Sequence, residues 1–221
     1  MSNDFPAAGG FTKSGPVTVA RGMLVVVSSP SGGGKGTIIK RVRKMVPDLG
    51  YSVSFTTRAP RPNEVDGRDY HFVTPSRFEE MRARGEFLEW AVVHGNLYGT
   101  AYSEIERELA SGRDVILEID VQGAASVRQR TTGAVCIFIL PPTYEVLRER
   151  LLRRGSESPA ELQRRLGNSR GEVERYREFA YVIVNDDADR AAAQLAAIVT
   201  AERVRRERQE EVAQRVLATF P

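Results

Sequence analysis

The sequence predicts an α/β fold in which helices cover a parallel β-sheet, and three observations carry that expectation. Apolar strand-like runs alternate with helical patterns from about Arg21 onward. The runs read as continuous Val, Ile and Leu rather than as an alternation, the pattern of strands buried on both faces. One of them, Met23 to Ser28, breaks into a glycine loop with a single lysine and then turns helical, as a strand that feeds a phosphate cradle does.

Taken in order, residues 1 to about 20 are rich in Gly, Ala, Ser and Pro without periodicity and read as a disordered leader. After the first strand come Ser29, Pro30, Ser31, Gly32, Gly33, Gly34, Lys35, Gly36 and Thr37. The glycines let backbone N–H groups turn inward, Lys35 adds a positive point charge, and a helix expected from Thr37 aims its N-terminus at the anion. The pattern G-x-x-x-x-G-K-[ST] fails at Ser29 and Gly36, but its strand-loop-helix setting is complete: Ile38, Ile39, Val42 and Val46 follow at helical spacing.

Further strands are expected at Asp114 to Ile119, Val135 to Leu140 and Tyr181 to Val184. Two segments interrupt the alternation. Tyr51 to Tyr102 mixes short β-like pieces with a helix start at Pro75-Ser76-Arg77-Phe78 and reads as an inserted small domain. Arg150, Arg153, Arg154, Arg164, Arg165 and Arg170 surround a flexible Gly155–Pro159 stretch and read as an arginine-bearing lid. Asp187 to Leu217 is one long helical pattern, whose basic cluster at Arg203 to Arg208 reads as a solvated face.

Bulk composition narrows the class. The 221 residues suffice for one domain with insertions, and 32 Lys+Arg against 29 Asp+Glu leave a net charge of +3, too small to demand a nucleic-acid partner. The longest apolar runs are too short to cross a bilayer and no apolar segment near Met1 reads as a signal peptide, so a cytoplasmic protein without a membrane partner is expected. Cys136, the single cysteine, lies inside an apolar run and reads as a buried core residue.

Several blocks then occur in an order that resembles one family. Ser52-Val-Ser-Phe-Thr-Thr-Arg-Ala-Pro-Arg-Pro-Asn-Glu-Val-Asp-Gly-Arg-Asp-Tyr-His-Phe72 is similar to the signature of the bacterial-type guanylate kinases. So are Glu86–Trp90, Gly95–Thr100, Leu117–Gly123, Arg150 with Arg154-Gly155, and Val184–Asp187, and the resemblance runs from about Gly22 to Glu202. It implies a P-loop NTPase fold with a parallel sheet, an inserted mixed α/β GMP-binding domain and a helical lid. The expected division is a core at 21–50 and 103–204, an insert at about 51–102, a lid at about 150–170 and a helical tail at 205–221. The implied reaction passes the γ-phosphoryl of ATP to GMP, giving ADP and GDP, with Mg²⁺ accompanying ATP and a role in guanine nucleotide synthesis and recycling.

The resemblance also assigns residues. Guanine offers N1–H and N2–H₂ as donors, so carboxylates suit it. By resemblance Glu89 and Asp120 accept from those donors, while Ser54 and Thr100 donate to O6; taken alone, Glu89 is a surface acid beside Trp90 and Asp120 a helix cap before Val121. Arg58, Arg61, Tyr70 and Tyr98 match the family's clamp on the 5′-phosphate, where an arginine's planar fork gives bidentate contacts. Glu64 falls on a family position that orients an arginine or reaches the nucleotide indirectly. On the ATP side, within the binding stretch Ser29 to Thr37, the backbone of Ser31 to Thr37 wraps the β-phosphate with Lys35 at the β- and γ-phosphates, and Asn185 lies near the adenine or simply forms a turn. Lys35, Arg58, Arg150, Arg154 and Arg165 are the expected catalytic cations. No general base is required, because the attacking phosphate oxygen is already ionised; His71 and His94 are therefore read as structural. Gly36 lacks the hydroxyl that often holds the metal, which leaves Thr37, Glu118 and Asp120 as candidate contacts.

Three other functions compete: a partner-binding module that has lost catalysis, a kinase for a different phosphorylated acceptor, and a nucleic-acid role for the arginine-rich tail. Lys35 and the lid arginines oppose the first, and the Glu89–Asp120–Ser54 set opposes the second.

Overall fold

In the computed structural model, five strands form a parallel sheet with the order β2 (Leu49–Tyr51), β7 (Asp114–Glu118), β1 (Leu24–Ser28), β8 (Val135–Leu140), β9 (Tyr181–Val184). The residues described are 21–93, 95–154 and 159–221, without the side chain of Arg154; the expected leader, His94 and residues 155–158 of the lid stretch lie outside them. Both faces of the three central strands, β7, β1 and β8, are covered, which is why they read as apolar runs, whereas Val182 and Val184 of the edge strand β9 are exposed. On one side Val25, Val27, Ile116, Ile137 and Ile183 pack against Ile38, Ile39 and Val42 of α1 (Lys35–Met45) and against Leu195 and Val199 of α7 (Ala188–Arg203). On the other, Leu24, Val26, Leu117 and Phe138 meet α3 (Tyr102–Ala110) and α4 (Val121–Arg130). Cys136 belongs to this second core, where burial pushes its thiol pKa up.

The strand order reverses at β1: its neighbours β7 and β8 lead the chain to opposite edges of the sheet. The loop after β1 therefore opens at the carboxyl edge of the sheet beside a topological switch point, where open α/β sheets bind ligands. Asp114 ties three elements together at the opposite edge. Its carboxylate accepts from the Met23 N–H at 2.7 Å and from Arg203 Nε, at the end of α7, at 2.6 Å.

Between β2 and α3 the chain builds a second sheet in the order β4 (His71–Phe72), β3 (Phe55–Thr56), β6 (Asn96–Ala101), β5 (Phe87–Val93). The ring of His71 stacks on Phe55, 4.5 Å between centroids. Helix α2 (Pro75–Ala83) starts where expected, with Thr74 as its cap, and Phe78 and Met81 fill a small core with Phe87. Two further helices, α5 (Tyr144–Arg154) and α6 (Pro159–Glu174), carry the arginines of the 150–170 stretch, and a 3₁₀ turn, Arg175–Glu178, leads into β9.

Two expectations need correction. The helix after the glycine loop starts at Lys35 rather than Thr37: Gly34, at φ +93°, adopts the left-handed conformation that directs the backbone straight into the first turn. The 187–217 pattern is two helices, α7 and α8 (Arg206–Leu217), because the chain leaves helical geometry at Val204 and Arg205. Arg205 takes φ −58° and ψ 140° as the cap of α8, a break that a continuous run of good helix formers hides. No described helix is long and apolar enough to cross a membrane.

Candidate active site

The glycine loop is shaped by two left-handed glycines, Gly32 (φ +87°) and Gly34 (φ +93°), with no side chain to obstruct an approaching anion. The Gly33 N–H donates to the Pro30 carbonyl at 2.9 Å and closes a tight turn. Lys35 Nζ folds back along the loop, 3.1 Å from Ser29 Oγ and 3.4 Å from the Ser29 carbonyl. Asn185, at the end of β9, donates from Nδ2 to the Gly33 carbonyl at 2.8 Å, and its own carbonyl accepts from Arg150 Nη2 at 2.8 Å. These contacts make Asn185 a brace between the loop and α5. Burial holds the Arg150 pKa below its usual value, with the charge of Arg153 adding to the effect; among the described residues its buried Nη1 has no hydrogen-bond partner, and it lies 3.8 Å from where a side chain on Gly34 would begin. A cation beside the glycine loop is suited to a phosphate.

Helix α6 reaches the loop through two residues. Arg165 Nη1 donates to Ser31 Oγ at 2.9 Å, and the Ser31 N–H donates to the Glu172 carboxylate at 2.9 Å. Arg165 and Glu172 are seven residues apart, two turns along one helix face. That spacing was visible in the sequence, yet attention to arginines alone passes over Glu172.

Across the cleft, β5 and β6 pair Glu89 directly with Thr100, so both side chains project from the same face. Thr100 Oγ1 donates to Glu89 Oε1 at 2.7 Å, and Ser54 Oγ lies 3.1 Å from Thr100 Oγ1. With its one proton given to Glu89, Thr100 can only accept from Ser54. Glu89 is 2% exposed. Burial pushes its carboxyl up to about 7; the Thr100 hydrogen bond opposes that shift and the charge of Asp120 adds to it. Asp120 caps α4, accepting from the Gly123 N–H at 2.9 Å, and also faces the cleft, so the helix-cap reading and a ligand-facing position coexist.

A third cluster sits between these two. Glu64 accepts from Arg58 Nη2 at 2.9 Å and from the Arg61 N–H at 2.7 Å, while Arg58 Nε donates to the Tyr98 hydroxyl at 3.2 Å. The Arg58 guanidinium lies 5.4 Å from the Tyr70 ring centroid, and Tyr70 meets Tyr98 edge-on. The carboxylate thus fixes both arginines beside two phenols.

One cleft of about 960 Å³ joins all three clusters. Ser29 to Thr37, Ser54, Arg61, Glu64, Tyr70, Glu89, Tyr98, Asp120 and Arg165 line it. Thr100, Arg58, Arg150 and Asn185 stand one layer behind these walls, held by the hydrogen bonds just described. The Arg154 side chain lies outside the described residues. Glu118, at the end of β7, also lines the cleft and accepts from the hydroxyl of the half-buried Tyr51 at 3.2 Å, a partner for which the sequence offers no signal. A side chain beginning at Gly36 would stand 3.7 Å from that carboxylate. Among the described residues no group of three or more His, Cys, Asp or Glu could hold a metal ion. A divalent cation carried by phosphates would fit here with Glu118 as a nearby carboxylate, which suits magnesium's preference for phosphate and water ligands.

A glycine loop opening at the switch point of a parallel sheet, faced by arginines from a helical segment, defines a P-loop nucleotide-binding protein of the nucleoside-monophosphate kinase type. Comparison with known proteins makes the assignment specific. The family model for guanylate kinase matches residues 21–202. The guanylate kinase of Rhizobium meliloti (strain 1021) is 48% identical over 195 residues, covering 87% of this chain and 89% of that one. That of Thiobacillus denitrificans (strain ATCC 25259 / T1) is 50% identical over 188 residues, covering 85% and 90%. The crystal structure of guanylate kinase from Anaplasma phagocytophilum superposes with a TM-score of 0.70 at 32% identity, over 87% of this chain and 95% of that one. The chain belongs to the guanylate kinase family, the ATP:GMP phosphotransferases.

Proposed function

We propose that this chain transfers the γ-phosphoryl group of ATP to GMP, and that the three clusters are the donor site, the guanine site and the acceptor-phosphate site. The observation that carries the reading is the single cleft connecting the glycine loop to the buried Glu89. A loop of inward N–H groups suits a polyphosphate, and a buried carboxylate beside a second one suits a base with two adjacent donors.

In this reading Ser29 to Thr37 and Lys35 hold the β- and γ-phosphates of ATP, with Asn185 bracing the loop. Arg58 and Arg61, aligned by Glu64, grip the GMP phosphate with the hydroxyls of Tyr70 and Tyr98. Glu89 and Asp120 accept from guanine, Ser54 turns its hydroxyl proton from Thr100 to the guanine O6, and Thr100 aims Glu89 from behind. An ionised oxygen of the GMP phosphate forms the new bond to the γ-phosphorus as the bond to the β–γ bridging oxygen breaks, leaving ADP and GDP. Lys35, Arg150, Arg154 and Arg165 meet the charge spread over the transferring group, so positioning and electrostatics supply the catalysis. Bound Mg²⁺ would neutralise charge on the ATP phosphates, with Glu118 as the carboxylate placed to orient its waters, Thr37 and Asp120 being the other oxygen donors near the loop. The division into core 21–50 and 103–204, insert 51–102, lid 150–170 and tail 205–221 belongs to the same reading, in which insert and lid close over the core to exclude water.

The test is ADP formation from Mg²⁺-ATP with GMP, AMP, CMP or UMP as acceptor. Turnover with GMP at least 10³-fold above the others is expected from a site whose buried acceptors would be left unpaired by the wrong base. Equal turnover with another acceptor would sink the assignment, and binding of GMP without turnover would favour the partner-binding module.

A further inference from the structure

Glu89 owes its position to a side chain that is missing. A Cβ built on Gly123 would stand 2.6 Å from Glu89 Oε2, closer than real Cβ atoms come, with its carboxyl carbon at 3.2 Å and Asp120 Oδ1 at 3.3 Å, both tight contacts. Gly123 needs no unusual backbone: it lies in the first turn of α4, its φ is not in the left-handed region, and its N–H is the one that Asp120 caps. Neither a turn nor a cap therefore requires glycine here, and alanine would be the better helix former. What requires it is the space occupied by the acid.

We infer that Gly123 is a specificity-determining residue of the acceptor site: its bare Cα forms the wall against which the Glu89 carboxylate rests, opposite Thr100 and beside Asp120. The two carboxylates come from different elements, β5 and the N-terminus of α4, and only this close approach sets them side by side. The matching ligand is a purine edge with a ring N–H and an exocyclic amine next to each other. A methyl group on residue 123 would push the acid aside while leaving the rest of the cleft intact, because the atom that must yield is the far end of a side chain. The inference rests on Glu89 being the guanine acceptor.

The experiment measures GMP and ATP binding by calorimetry, with melting temperatures and acceptor kinetics, for the wild type, Gly123→Ala, Glu89→Gln, Glu89→Asp and the double variant Gly123→Ala/Glu89→Asp. For Gly123→Ala we expect GMP affinity to fall about 10- to 100-fold, the worth of a misaligned charged hydrogen bond. ATP affinity should stay within about twofold, and the melting temperature should be unchanged or higher, which no merely destabilising substitution would give. The double variant should bind GMP no worse than Glu89→Asp alone, since the shorter acid leaves room for the methyl group. Wild-type GMP affinity in Gly123→Ala, or additive losses in the double variant, would overturn the inference while leaving the proposed function standing, provided Glu89→Gln still weakens GMP. Unchanged GMP binding in Glu89→Gln would overturn both.

Discussion

The two ends of the cleft are built from different materials. At the glycine loop the binding groups are backbone N–H groups and long cations, shaped by left-handed glycines and braced by Asn185. At the proposed guanine end they are short side chains, Ser54, Thr100, Glu89 and Asp120, hydrogen-bonded among themselves or to the turn of a helix, the first three buried and Asp120 half-buried. On the proposed reading the loop would recognise charge, which any polyphosphate carries, whereas the side-chain set would recognise an arrangement of donors. One chain would then hold a general site for the group transferred and a selective one for its acceptor, and substitutions at the two ends should fail in different ways.

The largest effect is expected at the loop. Lys35→Ala should lower kcat about 10³-fold or more, since it removes a cation from the transferring phosphoryl, while GMP binding measured without ATP changes less than about twofold. Comparable losses of both would break the contrast between the two ends.

Next comes the pH dependence of the selective end. Below pH about 7 the free protein holds a proton on Glu89, and a guanine edge needs the ionised form as acceptor. GMP binding should therefore release that proton and strengthen about tenfold between pH 6 and pH 8, levelling off above 7. Phosphate monoesters themselves finish ionising near pH 6, so the comparison is with Glu89→Gln, which should weaken GMP about 10- to 100-fold and flatten the part of the profile near 7. The same shift has a stability sign. Because the folded pKa is raised above the ordinary 4.5, the stability held at acid pH is lost as pH rises through 4.5 to 7, and Glu89→Gln should melt higher than the wild type at pH 8. A steeper profile in the variant would contradict the assignment of the proton.

Between the two ends, Glu64→Gln should raise the KM for GMP about three- to tenfold and leave that for ATP unchanged. The Arg58–Glu64 pair is mostly buried, 13% and 18% exposed, so its loss exceeds that of a surface pair without reaching the value of a core one. An effect on ATP instead would move Arg58 to the donor side.

The same division explains what the sequence disclosed. Four apolar strands and the glycine loop were legible because burial, on both faces for β1, β7 and β8 and on one for β9, and left-handed glycines leave compositional marks. Strand β2, with only Leu49, Gly50 and Tyr51, is too short to show a period, and it joins the sheet through pairing with β7 that no local pattern encodes. The break at Val204 and Arg205 was hidden because neither residue is a helix breaker. At the site, residue types pointed to chemistry, but supporting contacts came only from tertiary structure. Glu64 is bound to arginines nearby in the chain, whereas Tyr51 reaches Glu118 across 67 residues and Glu172 reaches Ser31 across 141.

Glu172 supplies the smallest and most discriminating effect. Its carboxylate accepts from the backbone N–H of Ser31, in a loop suited to anions, while Arg165 on the same helix face donates to the Ser31 hydroxyl. The pair thus sets one negative and one positive charge against Ser31, and the negative one opposes an arriving triphosphate. Glu172→Gln keeps an oxygen to accept the N–H and removes the charge. ATP affinity should rise about threefold at low salt and the gain should shrink at high salt, as befits a partly solvated charge. GMP affinity should not change. If ATP binding weakened instead, the carboxylate would be holding the loop in its binding shape, and preorganisation at the donor end would rest on side chains as much as it does at the guanine end.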